Sequence, residues 1–336
     1  MISRLFSLSI LALTFQISNG ISMDLKDVTS FQSGTFPVIL RSTKSYGDIV
    51  ALTITAKGGV TLTDKAGALD LVVDTVTKGT PSYSKEDIDR IFTEAGAVFS
   101  IDARADSIEL SLKCLKKFLP TLLPIVAEMI TVPLFRTEEV DLVKRQMTAA
   151  LKNEQEHPDA MIGLLSHKAF YQGHPYLNRA GGYLETLPGL NRNDLVELLP
   201  KIFNKQNIFF TSVGDLTQGE LSQLIQNYFG GIPDGKAVSS PAVPISNPIN
   251  DIGFEKFDAP TTYFMARFKA PALKDEDYAP LTIAVEILGN RLFEEVRTKR
   301  ALTYSVSASL GSSLSNSGVL YVSSTQIPEA VTVIYD

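Results

Sequence analysis

Asp70 and Asp74 are the residues whose types and spacing first suggest chemistry. Leu69, Val72, Val73 and Val76 stand at i, i+3, i+4 and i+7, which predicts a helix stopped by Gly79. Two carboxylates four residues apart on that helix share a face and could both touch one hard cation. Calcium takes ~6–8 oxygen ligands and magnesium a near-octahedral set, and the sequence shows no further carboxylate cluster to complete either. A polar helix face is the simpler reading. The three histidines, His157, His167 and His174, have no spacing suited to a shared metal and read as surface or hydrogen-bonded core residues. Cys114 is the only cysteine, which rules out an internal disulfide and a cysteine-based zinc site. Set in an apolar run, it reads as inert core.

The chain has 336 residues, 44% hydrophobic and 20% charged, enough for two domains with ordinary cores. A net charge of −6 without any Lys/Arg-rich run argues against a nucleic-acid partner, which needs a concentrated cationic face. Residues 1–20 read as an export signal. Arg4 opens it, Leu5 to Phe15 is an apolar run shorter than the ~20 residues a membrane span needs, and Ser18 and Gly20 are small residues at a cleavage site. An exported chain this poor in cysteine fits the bacterial periplasm, or secretion, without disulfide staples.

These residues must be positioned by a succession of elements. Ile49 to Ala56 alternates as a strand closed by Gly58-Gly59. The helix carrying Asp70 follows, and Ser84 and Asp87 show a capping-box pattern ahead of a second helix. Ala97 to Asp102 and Ser107 to Leu112 predict a hairpin, and Leu115 to Thr131 a helix interrupted by Pro120 and Pro124. Helices are expected from Thr137 to about Glu154, Pro158 to Tyr171, Asn191 to Phe203 and Thr217 to Phe229, with a strand at Asn207 to Val213. The stretch 236–250 is rich in Pro, Gly and Ser and reads as a linker. Beyond it the earlier order returns: a strand at Thr262 to Lys269, a helix at Tyr278 to Arg297, and strands at Tyr304 to Leu310 and Gly318 to Ser324. The expected fold is therefore α+β, with two related domains, each a mainly antiparallel sheet with helices on one face, at 24–235 and 251–336. The second unit reaches Asp336 just inside a helix expected near Pro328, so it reads as incomplete.

Four segments, in order, resemble the insulinase/pitrilysin superfamily, in particular its two-domain branch with mitochondrial processing peptidase. Ala66 to Thr80, ending Lys78-Gly79-Thr80, is similar to that family's metal-binding helix. Ala169 to Tyr176 carries a similar Gly-His-Pro-Tyr turn, and Ile208 to Asp215 is similar to a strand opening the family's C-terminal region, which would begin at about residue 190. Asn290 to Val306 is the most specific match. Active members carry H-x-x-E-H, where two imidazoles bind zinc and the glutamate takes a proton from the metal-bound water. The resemblance places Asp70, Val73 and Asp74 at those positions, and the third-ligand glutamate near Ala150 or Leu151. Carboxylates stand where imidazoles are needed, and valine accepts no proton. By residue type this chain has no hydrolytic machinery and no cofactor of its own.

The resemblance also implies a substrate-binding pair. Arg297 and Tyr304, seven residues apart, are similar to an arginine and tyrosine that contact the substrate backbone near the scissile bond. A guanidinium and a phenol can donate to a carbonyl or developing oxyanion; without the flanking matches they would read as a helix-end cation and a strand aromatic. In split members, one subunit carries zinc and the other carries this pair. The implied function is that of a catalytically silent subunit that binds unfolded peptides with a zinc-bearing homologous partner. A self-sufficient metallopeptidase conflicts with Asp70, Val73 and Asp74. A scaffold or peptide-holding protein of the same fold remains the alternative. A small-ligand receptor would need a parallel βαβ run that the sequence does not show.

Overall fold

The computed structural model describes residues 27–238, 245 and 253–336; the expected export signal and most of the expected linker lie outside them. The first unit is a six-stranded sheet in the order β1-β2-β6-β3-β5-β4. Its strands are β1 (Val28–Ser33), β2 (Phe36–Ser42), β3 (Ile49–Lys57), β4 (Val98–Ala103), β5 (Ser107–Leu115) and β6 (Ile208–Gly214). All neighbours pair antiparallel except β2 with β6. Alternation drives this sheet: in β3, Val50, Leu52, Ile54 and Ala56 point into the core while their neighbours reach the other face.

Seven helices belong to this part of the chain: α1 (Ala68–Thr75), α2 (Lys85–Glu94), α3 (Leu119–Thr131), α4 (Thr137–Glu156), α5 (Pro158–Phe170), α6 (Arg192–Ile202) and α7 (Gln218–Phe229). Their starts follow from local chemistry. Ser84 accepts a hydrogen bond from the Asp87 N–H at 3.1 Å, and Asn191 with Asp194 and Thr217 with Glu220 form complete capping boxes. The helices and one sheet face share a single core around Phe36, Ile54, Leu69, Leu71, Phe210 and Phe229.

The second unit is a three-stranded antiparallel sheet, β7 (Thr262–Lys269), β9 (Ser317–Ser324) and β8 (Ser305–Leu310), in that order. Helix α8 (Tyr278–Leu292) continues into a π-helical turn at Phe293–Thr298, and α9 (Ile327–Tyr335) packs on β9. Its core is small: Leu292, Val296, Val306, Val322 and Ala330.

The two units repeat one topology. In the first, β3 is followed by α1 and the hairpin β4–β5, and β3 pairs with β5. In the second, β7 is followed by α8 and the hairpin β8–β9, and β7 pairs with β9. Helix α1 packs on β4 and α8 packs on β8, so the two helices are equivalent in place. The expected α+β duplication is therefore present.

Two features differ from the sequence expectation. The strands β1 and β2 were not anticipated, although Phe36, Val38 and Leu40 alternate inward. Pro37 breaks a strand reading; here it faces Gln32 of β1, and the ladder to β6 starts only at Val38, so no sheet hydrogen bond on that side is lost. Pro124 also fails to break α3, where burial of Leu122, Leu123, Ile125, Val126, Met129 and Ile130 outweighs one missing backbone bond.

Polar bonds tie the units together. The Tyr171 hydroxyl donates to the Ser315 carbonyl at 3.2 Å, Asp106 accepts from the Tyr176 hydroxyl and from the Leu314 N–H at 2.8 Å, and helix α5 packs across β7. Among the described residues, no helix is long and apolar enough to cross a membrane.

Candidate functional site

Asp70, Val73 and Asp74 all lie on α1, as the periodicity requires. Val73 is buried, Asp74 reaches solvent, and Asp70 sits between. Loop residues 179–182 lie over the start of this helix. The Gly67 N–H donates to the Arg179 carbonyl at 3.1 Å and the Asp70 N–H to the Ala180 carbonyl at 3.3 Å. Gly182 makes the close approach possible: its φ is +71°, and a Cβ there would stand 2.7 Å from the Gly67 Cα.

Arg179 has a function that spacing did not reveal. Its guanidinium makes a two-nitrogen clamp on Glu154 of α4, with the shortest contact 2.8 Å, and lies 5.5 Å from the Tyr183 ring centroid. It also attracts the Asp70 carboxylate electrostatically. Burial first, then repulsion from Asp74, still pushes the Asp70 carboxyl up to about 6. Burial of the carboxyl also raises Asp74, against the pull of Lys78. The expected third-ligand positions are an exposed Ala150 and a buried Leu151; the nearby acid on α4, Glu154, is committed to Arg179. The structure therefore brings more carboxylate near α1 than the sequence suggested, and Arg179 supplies the positive charge beside it. No group of three or more His, Cys, Asp and Glu side chains that could hold a metal ion occurs among the described residues.

Two of the histidines, His167 and His174, are part of the packing, whereas His157 is exposed. His167 Nε2 lies 2.9 Å from the Tyr176 carbonyl, and burial together with the cations Arg267 and Arg179 lowers its pKa to about 4. His174 is buried and its Nδ1 accepts from the Tyr176 N–H at 3.0 Å. The Cys114 thiol is buried, which raises its pKa to about 11 and keeps it a thiol at neutral pH.

Arg297 and Tyr304 are positioned differently. Val296 is buried at 0% exposure and anchors the π-helical turn, which turns Arg297 outward. The Arg297 guanidinium lies 4.7 Å from the Phe293 ring centroid. Its neighbours satisfy one another: Lys299 pairs with Glu295 at 2.7 Å and Arg300 with Glu295 at 2.6 Å, whereas Arg297 has no carboxylate partner among the described residues. The chain leaves the helix through Ala301 at φ 52°, a conformation disfavoured for any residue with a side chain. Thr303 is then fixed, its hydroxyl shared between the Ser305 carbonyl at 2.8 Å and the Ser323 carbonyl. Tyr304, the residue after Thr303, is 89% exposed.

The Insulinase (Peptidase family M16) model matches residues 41–181, and the Peptidase M16 inactive domain model matches 189–335. The matches run end to end across both units. The chain belongs to the insulinase family. A curated relative, the Helicobacter pylori protein named "Non-peptidase homolog YmxG", is 24% identical over 74% of this chain, which spans 59% of that protein's length. A solved peptidase M16 inactive domain from Pseudomonas fluorescens superposes with a TM-score of 0.86 at 22% identity, covering 92% of this chain and 77% of that one. The periplasmic protease PqqL from Escherichia coli superposes with a TM-score of 0.71 at 16% identity over 89% of this chain and 35% of that one. These structural likenesses establish the fold.

Proposed function

We propose that this insulinase-family chain is the catalytically silent subunit of a heterodimeric zinc peptidase, lending Arg297 and Tyr304 in trans to a homologous partner that carries zinc. The observation that carries this reading is the contrast in commitment between the two regions. At α1 the groups that would bind zinc and activate water are absent by residue type, and Arg179 and Glu154 neutralise each other beside it. On the second unit, a guanidinium without a carboxylate partner and a phenol 89% exposed each follow a buried anchor. Such donors are worth ordering only if a backbone carbonyl or oxyanion arrives from outside.

In this role the Tyr304 hydroxyl would donate a hydrogen bond to the oxyanion of a peptide carbonyl under attack, and a zinc held by the partner would supply the activated water. Arg297 holds a neighbouring carbonyl of the same peptide. This chain's residues move no proton; they bind, orient and stabilise charge. β4, the free edge of the six-stranded sheet beside α1, offers unpaired backbone groups to an extended peptide. The export signal in residues 1–20 and the likeness to a periplasmic protease support a periplasmic location. Domain limits of 24–235 and 251–336 around a 236–250 linker fit this arrangement.

The test is to co-purify the chain with a homologue carrying H-x-x-E-H and measure cleavage of an unstructured peptide. Arg297→Ala or Tyr304→Phe lowers turnover by about 100-fold, the usual cost of one oxyanion donor, while the complex still assembles. A second reading, a non-enzymatic scaffold, draws on the non-peptidase name of the Helicobacter pylori relative. It predicts unchanged turnover for both variants. Chelator-sensitive cleavage by this chain alone overturns both readings.

A further inference from the structure

A cavity of about 360 Å³ opens between the two units, within the range of small-ligand sites. Arginines enter it from three separate elements: Arg104 from the β4–β5 turn, Arg179 from the loop over α1, and Arg267 from β7. His167 of α5, with Tyr171, Tyr176, Asn178 and Ser313, adds to the polar wall, and no carboxylate lines the cavity. Two of the arginines are compensated from outside it, Arg104 by Glu109 at 3.2 Å and Arg179 by Glu154. Asp106 lies near Tyr171, but its oxygens take the Tyr176 hydroxyl and the Leu314 N–H.

Arg267 is different. It is half-buried, and no carboxylate pairs with it among the described residues. Its Nε donates to Ser166 Oγ at 3.0 Å and one Nη donates to Ser317 Oγ at 3.4 Å, while the other Nη has no bonded partner there. Burial lowers its pKa from the ordinary arginine value, and the same cationic surroundings help keep His167 neutral. A guanidinium drawn out of water without a counter-ion is costly, and an anion in the cavity would remove that cost. The geometry of a guanidinium fork suits a planar oxyanion.

We propose that this cavity binds the terminal carboxylate of a peptide. A carboxylate is favoured over phosphate because, beside the polar Tyr171, Tyr176, Asn178 and Ser313, part of the wall is small and apolar, at Val60, Ala103, Ala105 and Ala180. That wall accepts the hydrocarbon side chain next to a peptide terminus, whereas inorganic phosphate brings nothing to place there. The inference stands on this cavity alone and does not depend on Arg297 or Tyr304 acting in trans.

The experiment is calorimetric titration of the full chain with an unstructured hexapeptide ending in leucine, prepared as the free acid and as the C-terminal amide. The acid is expected to bind at least about tenfold tighter than the amide, the difference shrinking as salt is added. Arg267→Gln lowers the acid's affinity at least tenfold and leaves the amide's unchanged; Arg104→Gln, on the exposed turn, lowers it in the same sense if the first variant folds poorly. Equal affinity for acid and amide, or inorganic phosphate binding more tightly than the acid, would each overturn the proposal.

Discussion

Helices α1 and α8 occupy the same place in two copies of one strand–helix–hairpin unit, yet they present opposite chemical situations. Six of the eight residues of α1 are buried, and α4 and α6 cover it. Its polar groups answer to an internal partner: Asp70 faces Arg179, and Arg179 is clamped on Glu154. In α8 only Val285 and Leu292 are buried, and the π-helical turn at its end displays Arg297 to solvent. One region has become structural by absorbing its charges. The other spends a strained Ala301 and a π-turn to keep two donors uncommitted. The difference teaches that helices in equivalent places can have their charges answered inside the fold or leave them to solvent.

This contrast can be broken by substitution, and the largest effect belongs to the loop over α1. Gly182→Ala forces a left-handed residue and a backbone clash with Gly67, and is expected to cost about 3 kcal/mol in urea unfolding. Arg179→Met is next, at about 2–3 kcal/mol. It strands the Glu154 and Asp70 charges, and the pair's side chains, at 24% and 25% exposure, are only partly screened. Adding Glu154→Gln to Arg179→Met recovers part of that loss if the ion pair, and not the loop alone, carries it.

Asp70→Asn sharpens the comparison through pH. The folded carboxyl is raised to about 6 against an ordinary value of 3.8, so the folded state holds the proton more tightly than the unfolded chain. Stability from this group is full below pH ~4, falls as pH rises towards 6, and stays reduced above it. Asparagine removes the penalty and is expected to stabilise by about 2 kcal/mol at pH 7–8, a gain that vanishes below pH 4. Thermal unfolding across pH 4–8 checks the sign; a gain that persists at pH 4 contradicts it. The smallest effect is on the other side of the comparison. Tyr304→Phe removes a hydroxyl without an internal partner and should change unfolding free energy by less than about 0.5 kcal/mol. A loss as large as that of Arg179→Met would make Tyr304 a structural residue and erase the contrast.

Much of the fold was legible because its signals are local. The 3.6-residue period of α1, the caps of α2, α6 and α7, and the strand alternation from Ile49 all act within a few residues. β2 was missed because Pro37 argues against a strand, and only pairing with β1 and the distant β6 shows that its missing N–H is harmless. Arg179 was missed for a related reason. Nothing in Leu177-Asn178-Arg179-Ala180 signals a functional role; the residue acquires one by lying over a helix more than a hundred positions earlier in the chain.

Residue identity by itself determined what α1 cannot do: aspartates and a valine offer neither imidazoles nor a proton acceptor where zinc hydrolysis needs them, whatever the packing. It also determined the duplicated order of strands and helices, since periodicity and caps are properties of the local chain. Tertiary structure alone decided which charges meet. It brought Arg179 to Glu154 and Asp70, left Arg297 and Tyr304 facing outward, and gathered Arg104, Arg179 and Arg267 around one cavity. Electrostatic partnership depends on distance and burial in three dimensions, and neither can be read from spacing along the chain.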